Sequence, residues 1–423
     1  AAGSTANLGV SVASAGSLAS TLSLALASNA NGVTGLTGQS LATGSITVTG
    51  AAYDTARATL AATTLALGDV RPGATLGTAL TNTVVTAAAY QDSLDIAASG
   101  APATFTLAAP SKLFAGQSGN VVVTAAKAGS LAANIALTLT SNANGLDGLA
   151  NSALTGQSVA VTGAVYDLAN PGYDTTKDLG NLRVGVTSRT VAVTNAAVTA
   201  AAYQDKLAVA ATGASSLTLT NPADIAADGT GAVGIVAASA GSLAGNLTLG
   251  FTSKALAGTT LDNVALAGGS VALTGAAYDY AQPTIASTLA LGNRRVGTSA
   301  SLAVANTTRT NAAYQDSLDA VASTAVGTLT LANPANILAG KTGNVTVTAA
   351  KAGSLAGDVT FALTSNANGV TGLAATTALT GQTVAVTGAA YDLANPTYAS
   401  TLALGNLRRG VTTNLAEIGR AHV

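Results

Sequence analysis

The sequence predicts an all-β chain, a tandem array of antiparallel β-sandwiches with about seven strands each and a period of about 112 residues. Two observations lead to this prediction. Landmark motifs return at a nearly constant spacing, and between them apolar residues alternate with polar or small ones. The period is the size of a whole domain, whereas the coils of solenoid proteins repeat every 20–50 residues or so.

The clearest landmark is a glycine-rich motif around an arginine. Its copies are 112 or 113 residues apart, at 66–73 (ALGDVRPG), 178–185 (DLGNLRVG), 290–297 (ALGNRRVG) and 403–410 (ALGNLRRG). Two other landmarks keep the same period. A Tyr-Gln-Asp triplet begins at Tyr90, Tyr203 and Tyr314, and a Tyr-Asp pair begins at Tyr53, Tyr166, Tyr278 and Tyr391.

Alternation decides between strand and helix, although alanine is abundant. Val359, Phe361 and Leu363 lie on one face of a period-two pattern, which is typical of a half-buried antiparallel strand. Glycine, Asn-Gly and Asn-Pro steps separate such runs, as turns require. About seven short strands in roughly 110 residues are typical of an immunoglobulin-like sandwich. For residues 172–280 the predicted strands are 178–182, 190–195, 206–210, 217–220, 232–238, 246–251 and 270–275.

A proline that follows each later Tyr-Asp pair suggests the domain boundaries, because proline stiffens a short linker. We expect three complete sandwiches, at 56–168, 169–280 and 281–393. Residues 1–55 are predicted to be the C-terminal half of a truncated repeat, and 394–416 the first strands of a further repeat. Residues 417–423 resemble a translated sequencing adapter, so we exclude them from the fold.

The truncation carries its own expectation. The apolar face of residues 1–55 lacks its partner sheet, so its side chains should be less buried than the equivalent ones of a complete repeat. The side chains compared are Leu22, Leu24, Leu26, Ile46 and Val48 against Leu137, Leu139, Val159 and Val161.

The composition argues against several classes of function. Charged residues are 8% of the chain, against about 25% in typical domains, and the net charge is −1. Binding to nucleic acid or to anionic membranes requires a basic surface, which a chain with so few charges and a net charge near zero does not provide. No apolar run reaches the length of a membrane span. The chain has no cysteine and its one histidine is His422, so disulfides, thiolate metal sites and nucleophile–histidine systems are unavailable outside the tail.

The recurring arginines Arg71, Arg183, Arg295 and Arg408 lie in glycine-rich stretches. A phosphate-binding loop needs a helix N-terminus after it, but a strand follows here. We therefore expect solvated hairpin arginines, each pairing with an aspartate.

The Tyr-Gln-Asp triplets allow two interpretations. The tyrosine could stack on a sugar, or it could anchor a corner of the sandwich while the aspartate binds turn amides; the second is favoured. Asp92 with Asp95, and Asp316 with Asp319, suggest calcium. The second repeat has Asp205 and Ala208 instead, and calcium needs six to eight oxygen ligands. We predict no catalytic, cofactor or metal site.

The combined landmarks resemble a known family. The Leu-Gly-Asn-x-Arg-Val-Gly motif, a strand ending in Thr194-Asn195, and the Gly-Ser-Leu-Ala and Thr-Gly-Ala-x-Tyr motifs are similar to the choice-of-anchor D repeats of bacterial secreted proteins. These repeats are immunoglobulin-like relatives of ASPM/SPD-2/Hydin domains. The resemblance covers residues 1–416, implies export and attachment at the cell surface, and supplies no catalytic residues.

The sequence thus favours a non-catalytic structural stalk or adhesin segment of an extracellular or bacterial cell-surface protein. Two alternatives stay open: an array that binds glycans or receptors, and a subunit of a surface layer or filament. The expected partners are surface glycans or like chains, without nucleic acid and without a membrane span.

Overall fold

The computed structural model describes residues 4–186, 188–396, 401 and 403–412. Nearly all regular structure in these residues is β-strand, as predicted, and the helices among them are three single 3-10 turns. The turns are Ala88–Tyr90, Ala201–Tyr203 and Ala312–Tyr314. The described residues between 394 and 412 form no strand, and the predicted adapter tail at 417–423 lies outside the described residues.

The first segment forms six short strands, which pair as β1 with β6, β2 with β5 and β3 with β4. They are β1 (Gly16–Ser17), β2 (Ser20–Leu24), β3 (Ala27–Ser28), β4 (Gln39–Ser40), β5 (Gly44–Val48) and β6 (Ala51–Ala52). Leu26 and Ile46 are 46% and 44% exposed, whereas Leu139 and Val159 are fully buried. Leu22, Leu24 and Val48 are only partly buried, so the expected difference in burial is confirmed.

The first complete sandwich has two sheets, one in the order β7-β9-β13-β11 and one in the order β12-β10-β15-β17-β14. In the second sheet β8 also pairs with β17, and β16 with β15. The strands are β7 (Ala58–Leu60), β8 (Thr64–Val70), β9 (Thr75–Asn82), β10 (Ser93–Ser99), β11 (Phe105–Ala108), β12 (Lys112–Leu113), β13 (Ser118–Ala125), β14 (Gly129–Ser130), β15 (Ala133–Asn142), β16 (Ser152–Ala153) and β17 (Gln157–Val165).

The second sandwich repeats this plan with sheets β18-β20-β23-β22 and β19-β26-β25-β21, and β24 pairs with β26. Its strands are β18 (Pro171–Tyr173), β19 (Thr176–Arg183), β20 (Ser188–Asn195), β21 (Lys206–Thr212), β22 (Leu217–Thr220), β23 (Gly229–Ala237), β24 (Gly241–Ser242), β25 (Gly245–Lys254) and β26 (Val264–Tyr278). All seven predicted strands are present. The prediction missed β18 and β24, which are too short to show alternation.

The third sandwich has sheets β27-β29-β32-β31 and β28-β36-β34-β30, with β33 on β36 and β35 on β34. Its strands are β27 (Pro283–Ile285), β28 (Thr288–Arg295), β29 (Ser299–Asn306), β30 (Ser317–Thr324), β31 (Leu329–Ala332), β32 (Thr342–Ala349), β33 (Gly353–Ser354), β34 (Gly357–Asn366), β35 (Thr376–Ala378) and β36 (Gln382–Tyr391). The predicted tandem of immunoglobulin-like β-sandwiches is confirmed.

Each sandwich has its own apolar core. In the second, Leu247, Leu249 and Phe251 point inward from alternate positions of β25 and are at most 4% exposed. Every buried residue of that core cluster comes from the stretch between Ala169 and Ala277. The other two clusters run from Ala56 to Val165 and from Ala281 to Ala390. Burial of these aliphatic side chains is the main favourable term in the stability of each sandwich.

One strand pair in each sandwich is parallel, which corrects the purely antiparallel prediction. The pairs are β8 with β17, β19 with β26 and β28 with β36. Each contains a bulge where two glycines meet. At the second bulge, a Cβ on Gly275 would lie 2.4 Å from the carbonyl oxygen of Gly180, so no larger residue fits. The bulge sets the register that places Arg183 opposite Tyr278, at the end of the sandwich.

Candidate functional site at the junctions between repeats

The backbone of each repeat is hydrogen-bonded to the next one at the Tyr-Asp pair. The Asp167 N–H donates to Tyr203 O (2.9 Å), and the Asp205 N–H donates to Asp167 O (3.1 Å). The Tyr-Asp pair that ends one sandwich is thus bound to the Tyr-Gln-Asp triplet of the next. The same two bonds join Asp54 with Tyr90 and Asp92, and Asp279 with Tyr314 and Asp316.

The tyrosines of the two motifs pack on each other across the junction. The ring centroids of Tyr166 and Tyr203 are 5.6 Å apart with an interplanar angle of 48°, a tilted arrangement that aromatic pairs favour. Tyr53 with Tyr90, and Tyr278 with Tyr314, form equivalent pairs. The tyrosine of the triplet therefore contacts the preceding repeat, whereas the sequence suggested a corner of its own sandwich.

The junction also changes the acidity of Tyr166. Burial raises the pKa of Tyr166 above its ordinary value, and the negative charges of Asp69 and of ionised Tyr203 raise it further by smaller amounts.

An arginine crosses the junction to an aspartate of the next repeat. Arg183 Nη1 lies 2.9 Å from Asp316 Oδ1, and the two side chains are 7% and 1% exposed. The same nitrogen is 3.5 Å from the carbonyl oxygen of Asp279. The guanidinium carbon lies 4.5 Å from the centroid of the Tyr280 ring, within the range of a cation–π interaction.

The preceding junction uses Arg71 in the same way. Its Nη2 lies 2.7 Å from Asp205 Oδ2, and its Nη1 donates to the carbonyl oxygens of Tyr166 (3.3 Å) and Asp167 (3.2 Å). The Arg71 side chain is 24% exposed, so this pair is more hydrated than the Arg183 pair.

The expected pairing with an aspartate is therefore right for Arg71 and Arg183, but the aspartate belongs to the next repeat. The expectation of a solvated arginine is wrong for Arg183, because the neighbouring sandwich covers it. Arg295 donates to Asp392 O at 2.8 Å, and Arg408 is exposed.

A buried polar network fixes the acceptor aspartate. Asn195 Nδ2 donates to the carbonyl oxygens of Asp205 (2.9 Å) and Ile225 (3.1 Å), and Gln204 Nε2 donates to Asn195 Oδ1 (2.9 Å). Ser253 Oγ donates to Asp205 Oδ2 at 2.7 Å. A carboxylate held in this way is preorganised for its cation. The equivalent sets are Asn82, Gln91, Asp92 and Ser141, and Asn306, Gln315, Asp316 and Ser365.

Sequence analysis named Asn195 as part of a landmark without giving it a partner, and it missed the serine of this network. Both recur with the period of the landmarks, so the repeat itself was the signal that could have found them.

A second contact lies beside each arginine. Asn181 Nδ2 donates to Thr371 O at 3.0 Å, and the Thr260 N–H donates to Asp69 Oδ2 at 3.1 Å. In both cases a loop of the later sandwich reaches back to the glycine-rich motif of the earlier one. Two separate points of attachment resist bending at the junction better than one.

The aspartates considered for calcium have other partners. Asp95 Oδ2 accepts a hydrogen bond from Asn142, and Asp95 Oδ1 lies 3.8 Å from Lys112 Nζ. Asp319 Oδ2 accepts from Asn366 Nδ2 at 2.9 Å. Within the described ranges there is no group of three or more His, Cys, Asp or Glu placed to hold a metal ion. The described part of the chain also contains no helix that is long and apolar enough to cross a membrane.

Comparisons with known proteins give no family. No family model matches the sequence, and no curated protein matches it. Solved structures similar to the chain include a titin fragment of three immunoglobulin domains (8% identity, 79% of this chain and 99% of that one, TM-score 0.33). They also include the human desmocollin-1 ectodomain (10%, 85% and 63%, 0.27) and domains 4–9 of the surface layer protein SbsC (14%, 82% and 52%, 0.19). Similarity at this level says nothing about the function of the chain.

Proposed function

We propose that the chain is a non-catalytic stalk or adhesin segment of a bacterial cell-surface or secreted protein, in which stiff junctions set the spacing between sandwiches. The observation that carries the proposal is the buried pair of Arg183 and Asp316 between the second and third sandwiches. Outside residues 417–423 the chain has neither histidine nor cysteine, which supports a role without nucleophilic catalysis.

The junction chemistry favours stiffness. Removing one partner of a buried ion pair costs about 3–5 kcal/mol, because the other charge is left buried and unpaired. Bending the junction enough to separate Arg183 from Asp316 would break this ion pair, at a smaller cost because both charges would return to water. It would also separate Tyr278 from Tyr314 and Asn181 from Thr371. A flexible linker of a few residues has no such penalty.

The repeated architecture gives length. Compact domains of this size are roughly 30–40 Å across, so each added sandwich extends the protein by about that distance. The alternatives are a glycan- or receptor-binding array, in which repetition adds avidity, and a surface-layer or filament subunit. A glycan array and sedimentation analysis distinguish these from a simple spacer.

The test is a distance distribution across one junction. The chain has no cysteine, so Thr218→Cys and Thr330→Cys provide unique attachment points for spin labels at equivalent, exposed positions of β22 and β31. We expect a narrow distribution by double electron–electron resonance, and a broad one after Arg183→Ala.

Arg189→Ala is the matched control. Arg189 lies in the same sandwich, and its hydrogen bonds go to the carbonyl oxygens of Leu179 and Ser188 within that sandwich. A distribution that is already broad in the parent chain, or that Arg183→Ala leaves unchanged, contradicts the stiff-stalk proposal.

A further inference from the structure

The junction between the first and second sandwiches has an open cleft beside Arg71. The cleft has a volume of about 510 Å³, and Pro72, Leu168 and Val198 form its apolar lining. Leu168 and Val198 are 36% and 55% exposed. The N–H groups of Arg71 are directed at Asp205 and at backbone carbonyl oxygens, so the guanidinium offers the cleft its flat face. Such a face stacks well on an aromatic ring.

The next junction shows what this position accepts. Tyr280 follows its Tyr-Asp pair as Leu168 follows the preceding one. Its ring centroid lies 4.5 Å from the guanidinium carbon of Arg183, in the range of a cation–π interaction. The Arg183 side chain is 7% exposed, against 24% for Arg71. An aromatic ring thus covers the arginine at one junction, and the equivalent place at the other junction is open.

The chain carries an exposed aromatic side chain elsewhere. Among the residues that the structure describes, Phe114 is the only exposed aromatic, at 54%. It lies in the turn between β12 and β13, beside the half-exposed Val84, because a Cβ on Gly116 in the same turn would lie 3.4 Å from Val84 Cγ2. The equivalent Leu338 is 56% exposed although a complete sandwich precedes it. Exposure at this turn is therefore a property of the repeat.

We propose that Phe114 of one chain inserts into the cleft beside Arg71 of a second copy of the chain. The ring stacks on the guanidinium as Tyr280 does on Arg183, and its edge packs against Leu168. Aromatic side chains that fill pockets contribute much of the binding energy at protein interfaces. The two surfaces differ, so the contact is heterologous and can continue from chain to chain. This inference goes beyond the stalk proposal, because it concerns contacts between chains and holds for stiff and flexible junctions alike.

The first test is self-association of the full chain, measured by sedimentation velocity over a range of concentrations. A contact with one aromatic anchor is small, so association should be weak and should rise with concentration. We expect Phe114→Ser to abolish it. Leu168→Tyr should also abolish it, because the new ring covers Arg71 from within the chain. Leu338→Ser is the matched control, since it removes an equally exposed side chain from the equivalent turn and should leave association unchanged.

The second test mixes the two defective variants. Phe114→Ser keeps an open cleft, and Leu168→Tyr keeps its Phe114. Each variant alone should be monomeric, whereas an equimolar mixture should form a complex of two chains that cannot grow further. Thermal midpoints close to that of the parent chain would show that both variants are folded, as expected for substitutions at exposed positions.

A monomeric parent chain overturns the proposal. So does a Phe114→Ser variant that associates like the parent, or a mixture that stays monomeric. The spin-label distances across the junction between the second and third sandwiches can be measured in the Leu168→Tyr background. They do not depend on association, so the two proposals fail separately.

Discussion

Arg183 and Asp316 are 133 positions apart in the sequence, yet Nη1 of the arginine lies 2.9 Å from Oδ1 of the aspartate. The arginine ends a strand of one sandwich, and the aspartate follows the 3-10 turn of the next. Their separation in the sequence exceeds the repeat period, so this ion pair joins two neighbouring sandwiches and is not a contact inside either one. The motifs that recur most clearly in the sequence are therefore the parts that join the repeats.

The two arginine junctions are predicted to differ in strength. Arg183→Ala should cost about 3–5 kcal/mol, because Asp316 stays buried without its cation. Arg71→Ala should cost less, since water already reaches about a quarter of the Arg71 side chain. Denaturant unfolding measures both, and Arg183→Ala should also separate the transitions of neighbouring sandwiches, as loss of an interface does in repeat proteins. A loss of stability with Arg71→Ala as large as that with Arg183→Ala would refute this ranking, and Arg189→Ala is the control for a substitution away from the junction.

The glycine bulge is predicted to tolerate no side chain. Gly275 has φ +133°, and a Cβ there would lie 2.4 Å from Gly180 O, so Gly275→Ala should cost at least about 1–3 kcal/mol. Gly245→Ala is the control, because a Cβ on Gly245 meets nothing within 4 Å. Thermal unfolding of the two variants checks the prediction. A Gly275→Ala midpoint as high as that of Gly245→Ala would mean that the parallel pair can shift its register freely.

Alkaline pH is predicted to weaken the junction at Tyr166. Its pKa is raised in the folded chain, so the folded state holds this proton more tightly than the unfolded state does. The resulting stability is complete below about pH 10, the ordinary tyrosine value, and is lost as the pH rises through the raised pKa. Tyr166→Phe should remove this part of the pH dependence, as measured by unfolding midpoints between pH 9 and 11 or so. An unchanged pH profile in Tyr166→Phe would exclude Tyr166 as its source.

Alternation along single strands was enough to predict seven strands of the second sandwich. The inward face of each strand, such as Leu247, Leu249 and Phe251, consists of residues that are close together in the sequence. Alternation could not predict the direction of strand pairing, since a strand such as Thr176–Arg183 has the same alternation in a parallel and an antiparallel ladder. The partner of Arg183 could not be predicted for another reason. Any aspartate in the chain could pair with an arginine, and only the fold places Asp316 beside Arg183.

The second sandwich is predicted to fold by itself. Its core cluster draws only on residues between Ala169 and Ala277, so residues 169–280 should give a cooperative thermal transition. The midpoint should be lower than in the full chain, because Asp205 then lacks Arg71 and Arg183 lacks Asp316. Calorimetry of residues 169–280 and of the full chain tests this. An unfolded fragment would contradict the proposed boundaries at 168/169 and 280/281.

Calcium is predicted to leave the melting temperature unchanged. At two junctions an arginine already neutralises the acceptor aspartate, and Asp95 and Asp319 hydrogen-bond to asparagines. Saturating a native-state site a hundredfold above its Kd would add about 2.7 kcal/mol, which shifts the midpoint of a domain of this size by several degrees. The comparison is excess calcium against chelator. A clear rise with calcium would assign a site to Asp92 and Asp95, or to Asp316 and Asp319.

The position of the bridging groups has a consequence for how such a gene can change. Each complete sandwich presents an arginine at one end and an aspartate at the other, so any copy can follow any other. Unequal recombination between copies would lengthen or shorten the protein by whole units and keep an arginine opposite an aspartate at each junction between complete sandwiches. Variation in the reach of the protein should therefore come in steps of about 112 residues.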